Sequence, residues 1–390
     1  MKILQVHNVT RFRGGGDRVF ELTVAGLRAR EDVEVITFVK DSAELALGLR
    51  GKVGAALNGV RAPRAVLREF EAVVERERPD VVHVHELYPY ITPWALVTCS
   101  ERGIPVVMSC HEFRLTCPVG THLRDGVGCR LCLDGPSSWP CATHNCRGRR
   151  SESFAFALRH GKARKTEVFK KHVGCFLAAS DFMRRHLEAA GFGPVRHVPF
   201  PIVIHEGESS DGESKGGFEE GVDGEYAAFV GRFVPEKGIH TLLEAARVTG
   251  IPVKLAGRVG DLPLDLPPNA ACVGELRGAD LAAFYRGARF LVVPSEWDEP
   301  YGLVAGEAQL HGRPVIATRV GGLQELVSEG ETGLLVGSGD PAALAAAMKT
   351  LWSDPERCRR LGATGRSRID ATASLPVHSA RLVDLYRELM

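Results

Sequence analysis

Twice along this chain, short apolar runs alternate with helix-like stretches, and the two series are separated by a segment with almost nothing to bury. The first series is "KILQVHNV", the glycine-rich "RFRGGG", the helical "DRVFELTVAGLRAR", then "VEVITFV", "DVVHVHE", "IPVVMSCHE" and "GCFLAAS". It stops near Pro199. Residues 205–224, "HEGESSDGESKGGFEEGVDG", are mostly Gly, Ser and acid, too polar to offset the entropy of ordering them. The rhythm restarts with "YAAFVGR", "IPVKLAG", "ACVGE", "FLVVPSE", "PVIAT" and "TGLLVG". Strands alternating with helices require parallel sheets covered on both faces.

The predicted fold class is therefore α/β, with two Rossmann-like doubly wound domains in tandem. The chain's 390 residues also exceed what one ordinary core supports. The expected boundaries are 1–200 for the first domain, 201–224 for a linker or exposed loop and 225–375 for the second domain. Residues 376–390 form a helix expected to pack back toward the first domain. Lys+Arg 49 against Asp+Glu 48 gives a net charge of +1, so no global field points to nucleic acid. The N-terminal "MKILQVHNV" lacks the long apolar region of a signal peptide. No run approaches the ~18 apolar residues of a membrane span. The expectation is a cytoplasmic protein whose 10 Cys are thiols or metal ligands before they are disulfides.

Doubly wound sheets bind ligands at the carboxyl ends of their strands, and the informative loops fall there. "VVPSEWDEPYGLVAGEAQL" reads as a buried strand, a polar loop and a helix starting near Gly302. The first amides of that helix lack intrahelical partners, which suits a diphosphate. Glu307 is placed to accept the hydroxyls of a ribose, and Glu299 those of whatever the diphosphate carries. The alternative for both is a solvated surface acid. In "FVGRFVPEKGIHTLLEAA", Arg232 and Lys237 flank one strand–helix turn and form a candidate phosphate clamp. Gly14, Gly15 and Gly16 allow close backbone approach to a ligand after the first strand. "GSGDPAAL" mimics a dinucleotide fingerprint, but Asp340 as N-cap and Pro341 behind it explain it as a helix start.

"GRFVPEKG", "EPYGLVAGEAQLHGRPVIATRVGGLQELV" and "TGLLVGSGDPAALAAAM" resemble the donor-binding half of retaining glycosyltransferase family 4. The "GGG" loop and "SCHEF" resemble its acceptor half. The resemblance covers essentially the whole chain, including a subgroup-like cysteine-rich insertion at 117–146. It implies a GT-B fold, two Rossmann-like domains facing across a cleft that closes on a nucleotide sugar. It assigns Arg232 and Lys237 to the donor diphosphate, Glu307 to the ribose, Glu299 to the transferred sugar and His111 to the sugar ring. Gly15, Gly16, Tyr301, Gly302 and Leu303 join the donor-binding set. The implied activity is retaining, front-face transfer of a hexose-type sugar to a hydroxyl on a glycan or lipid-linked glycan. Uridine is the expected donor base, with guanosine next. The departing diphosphate takes the acceptor's proton, so no separate base is nominated. No Asp-x-Asp occurs, and a divalent cation is not expected in the chemistry. The alternatives are a nucleotide-sugar 2-epimerase of similar fold and a non-catalytic sugar-nucleotide or zinc-dependent interaction protein.

Three further features stand outside that set. Cys129-x-x-Cys132 is half of a tetrahedral zinc site that Cys117 and Cys146 could complete, with Cys141 and His144 nearby. Free thiols and disulfides are the competing readings. His83 and His85 fall on one side of a strand; His83 reads as structural and His85 is open. Residues 147–172 carry nine Lys and Arg against Glu152 and Glu167. They read as a solvated helix face or a peripheral contact with anionic lipid at the inner face of the cell membrane.

Overall fold

A computed structural model describes residues 1–9, 14–42, 64–204, 224–258 and 263–390. Most of the expected linker, 205–223, lies outside the described residues, as do Arg11, Phe12 and Arg13 of the glycine-rich loop. The chain divides into two compact units: Met1–Pro201 with Leu375–Met390, and Ile202–Ser374.

The first unit holds β1 (Lys2–Val9), β2 (Glu34–Asp41), β3 (Val81–Val84), β4 (Val106–Cys110), a small hairpin of β5 (Leu123–Arg124) and β6 (Val127–Gly128), then β7 (Cys175–Ala178) and β8 (Val195–His197). The second holds β9 (Tyr226–Val230), β10 (Val253–Ala256), β11 (Ala270–Gly274), β12 (Ala288–Val293), β13 (Val315–Thr318) and β14 (Gly333–Val336). Two six-stranded sheets result, ordered β2-β1-β3-β4-β7-β8 and β11-β10-β9-β12-β13-β14. Every neighbouring pair in them is parallel.

The central strands are near-continuous apolar runs because helices cover both faces. Ala227, Phe229, Phe290, Val292 and Ile316 are buried against Leu242, Met348 and Leu351 in the second unit. In the first unit Ile3, Val81, Val107 and Leu177 meet Leu382, Val383 and Tyr386 of the C-terminal helix Leu375–Leu389. That helix therefore completes the first unit's core, although the chain reaches it only after building the second. Asp340 caps its helix as the sequence predicts, its side chain accepting from the Ala343 amide at 2.9 Å, with Pro341 next. Among the described residues, no helix is long and apolar enough to cross a membrane.

Candidate active site

In the second sheet the strand order reverses between β9 and β12, the switch point where doubly wound sheets leave a crevice. The loop after β9 carries Arg232 and Lys237. The loop after β12 carries Glu299, Tyr301 and Gly302, followed by the helix Leu303–Leu310 with Glu307 on it. The fold thus brings every residue predicted for this domain's site to one edge. Two glycines make the approach fit. Gly238 has φ of 68°, and a Cβ there would lie 1.8 Å from the Pro294 carbonyl oxygen, so the two loops meet backbone to backbone. Gly302, the N-cap with φ of 101°, would drive a Cβ to 2.4 Å from Leu323.

Glu299 is 5% exposed, and its Oε1 takes a hydrogen-bonded ion pair from Lys237 Nζ. Ser295 Oγ donates to the same oxygen at 2.8 Å, and the Gly322 amide donates to the Glu299 carbonyl at 2.7 Å. Lys237 also stands 5.3 Å over the Trp297 ring. Burial alone would raise the Glu299 carboxyl. The Lys237 charge and hydrogen bonds from Lys237 and Ser295 outweigh it, and the carboxyl ends below its ordinary value. The sequence gives these two residues to separate ligand groups; the structure joins them in one pair. Arg232 is different: its side chain is 64% exposed and only 3.8 Å from Glu236, a contact too weak to hold it.

Glu307 receives a hydrogen bond from the Tyr285 hydroxyl at 2.7 Å. Tyr285 is fully buried and stacks on His311 with centroids 5.3 Å apart. Burial first, then the Glu307 charge, pushes its phenol well above the usual value, so it stays a donor. Tyr285 and Ser295 are second partners that sequence spacing does not reveal.

In the first unit, Gly14, Gly15 and Gly16 open the helix Gly15–Arg28, and Asp17 accepts from the Gly14 amide at 2.8 Å. The same carboxylate meets His7 Nε2 at 2.9 Å. A Cβ on Gly16 would lie 3.5 Å from the His111 ring, so glycine loop and histidine adjoin. His111 Nε2 is 3.0 Å from His85 Nδ1, His85 Nε2 is 3.1 Å from Gln5 Oε1, and His83 bonds Ser109 at 2.9 Å and Tyr386 at 2.6 Å. Because the Gln5 carbonyl can only accept, His85 donates from Nε2 and accepts at Nδ1 from His111. The His111 proton is thereby on Nε2, and Nδ1 is a buried acceptor with no partner among the described residues. Burial depresses His111 to about 3, so it is neutral at working pH. His83 and His85 are both buried in this network. Its signal in the sequence is Gln5 and His7 at alternate positions of an apolar strand.

The zinc expectation is corrected. Cys117, Cys129, Cys132, Cys141 and Cys146 do converge, but around a small apolar cavity. Among the described residues, no three His, Cys, Asp or Glu side chains are placed to hold a metal ion. The cysteines are free thiols. Cys132 and Cys141 turn their S–H toward the Ser138 and Ser153 carbonyls, each at 3.7 Å. Burial pushes these thiols up to about 11 and about 12. They act as small apolar residues.

Comparison with known proteins bears on both units. Residues 14–202 match the glycosyl transferase 4-like domain, and residues 212–368 match glycosyl transferases group 1. The chain belongs to the group 1 glycosyltransferases of GT-B fold. A D-inositol 3-phosphate glycosyltransferase of Corynebacterium urealyticum is 36% identical over 190 residues, 41% of this chain and 42% of that protein. An uncharacterized glycosyltransferase of Methanocaldococcus jannaschii is 36% identical over 157 residues, 38% of this chain and 44% of that one. The matched part thus spans about two fifths of those relatives' length. Among solved structures, sucrose-phosphate synthase from Thermosynechococcus elongatus superposes with a TM-score of 0.69 at 22% identity, covering 100% of this chain and 98% of that one. HepE of Anabaena, solved with UDP-glucose, gives 0.66 at 17% identity with both chains fully covered (100% and 100%). For this glycosyltransferase family member these two likenesses establish the GT-B fold alone.

Proposed function

We propose that this protein is a retaining glycosyltransferase that moves a hexose-type sugar from a nucleoside diphosphate sugar, uridine rather than guanosine, to a hydroxyl of a glycan or lipid-linked glycan. The observation that carries this is the buried Glu299–Lys237 pair at the sheet's switch point, directly before a helix start. A solvated acid pair would not be desolvated and hydrogen-bonded on a glycine-tight turn. The diphosphate lies at the amides opening Leu303–Leu310, beside Tyr301. Lys237 and the exposed Arg232 meet the charge that grows on it. Glu299, held ionised, accepts hydroxyls of the transferred sugar; in the first unit, His111 Nδ1 is a neutral hydroxyl acceptor. Gly15 and Gly16 let backbone approach the donor. The leaving phosphate takes the acceptor proton on the face where the acceptor enters, so configuration is retained. HepE, of the same fold, was solved with UDP-glucose, which supports the uridine reading.

Two measurements separate the roles of the acids. Glu307→Ala should weaken UDP binding at least about tenfold, because two ribose hydroxyls lose a charged acceptor. Glu299→Gln should leave UDP affinity within about twofold while transfer collapses. Equal losses in calorimetry would overturn this division. Tyr285→Phe removes one hydrogen bond from Glu307, so UDP affinity should fall about fivefold, as one neutral hydrogen bond predicts. Unchanged affinity would mean that Tyr285 does not orient the ribose acceptor.

A further inference from the structure

The first unit contains a cavity of about 220 Å³ beside the carboxyl ends of β3 and β4, lined by none of the residues given to the donor or to the sugar ring. Arg114, Arg159, Arg164 and Lys170 line it against one acid, Glu167, over an apolar wall that includes Phe169 and Phe192. Three of these cations are already committed. Arg114 pairs with Glu112. Arg164 donates to the Cys132 carbonyl at 2.6 Å and the Gly135 carbonyl at 2.8 Å, and Lys170 to the Ala190 carbonyl at 3.1 Å. Glu167 faces Lys171 at 3.4 Å.

Arg159 is the exception. It is 9% exposed, and its guanidinium lies 3.6 Å from the Phe156 ring centroid and 4.6 Å from that of Tyr88. Among the described residues no carboxylate or carbonyl accepts a hydrogen bond from it; Glu86 is the acid whose charge reaches it, beyond ion-pair distance. Burial, then the neighbouring Arg114 charge, lowers it to about 9, so it stays protonated at neutral pH. A cation this buried without an ion-pair partner is costly, and its N–H groups, which line the cavity, have no protein acceptor among the described residues. The basic run that reads from sequence as a solvated face thus hides one cation turned inward, stacked flat and aimed into a cavity.

We propose that this cavity is a binding site for an oxyanion, a phosphate or carboxylate carried on a small apolar group, with Arg159 as its buried counter-charge. The planar guanidinium offers two parallel N–H groups to such an anion. Tyr88 and Phe156 fix its plane, and Phe169 and Phe192 take the apolar part. At about 30 Å³ per water, the space admits a phosphate with one ring or a few carbons, whether from a small soluble molecule or from a lipid headgroup. The site does not depend on the transfer chemistry proposed for the second unit, and its test reads binding alone.

The probes are phenyl phosphate, phenylacetate and benzyl alcohol by calorimetry, and sedimentation with vesicles of phosphatidylcholine and phosphatidylglycerol at 3:1. Phenyl phosphate or phenylacetate should bind at least about tenfold tighter than benzyl alcohol, as a charged hydrogen bond predicts. Arg159→Met should abolish that preference, and Arg159→Lys should not restore it, because a point charge lacks the fork. Arg159→Met should melt no lower than the parent, since it removes a buried charge that no ion pair holds. Anion binding in solution without vesicle retention identifies a soluble ligand. Retention lost in Arg159→Met identifies a headgroup. The proposal is overturned if the parent and Arg159→Met treat every probe and the vesicles alike. It is equally overturned if Arg159→Met melts several degrees lower, which would make the stacked guanidinium a structural element.

Discussion

Lys237→Ala should destabilise the protein by about 3–5 kcal/mol, the cost of leaving one member of a buried ion pair without its partner, and should abolish transfer. Glu299 is 5% exposed, and without Lys237 the Ser295 hydroxyl is, among the described residues, the side-chain donor left to offset its desolvation. The double variant Lys237→Met/Glu299→Gln should recover most of the stability, because a neutral amide can still accept from Ser295, yet recover no activity. Urea unfolding of the parent, the single and the double variant separates the two effects. A pH series adds a sign. In the parent, Glu299 has a folded value below its ordinary 4.5, so its contribution is complete above that value and is lost as pH falls through the folded one. In Lys237→Ala the buried carboxyl is raised instead, so its penalty should shrink as pH falls from 8 to 5. Additive destabilisation in the double variant would mean that the pair is not coupled.

Arg232→Ala should leave melting unchanged and cut kcat about 100-fold, on the order of the loss when one donor to a developing oxyanion is removed, while KM for the donor moves little. The side chain is 64% exposed and, among the described residues, held only by Glu236 at 3.8 Å, so the folded state loses almost nothing with it. Charge on the diphosphate grows as the glycosidic bond breaks, which places the interaction in the transition state. Steady-state kinetics with donor varied decides the matter. A rise in KM at constant kcat would make Arg232 a binding residue only.

The two-domain α/β architecture was legible because each domain repeats the same local message, an apolar strand followed by an amphipathic helix. The residues of the candidate donor site were legible because they sit where strands end and glycines allow close approach. What sequence could not show was who faces whom. Lys237 and Glu299 lie far apart along the chain, and only the meeting of the loops after β9 and β12 makes them one pair. The Cys129-x-x-Cys132 spacing fits a metal, yet the thiols point into an apolar cavity and to carbonyls. Spacing fixes which side chains are near each other, not which atoms converge. Arg159 sits in a run of cations whose helical periodicity is weak, so nothing in the sequence distinguishes it from its solvated neighbours. The C-terminal helix was expected to return to the first domain, but its Tyr386 hydroxyl, 2.6 Å from His83, belongs to a polar network that no local pattern announces.

The central claim is retention during transfer from a nucleotide sugar. It is tested by proton NMR of the sugar released from UDP-α-glucose with chelator present, read before mutarotation, with GDP-α-mannose as the parallel donor. The account predicts that the first anomer to appear is α, at a rate the chelator does not change. The β anomer appearing first, or release that needs a divalent cation, would contradict it.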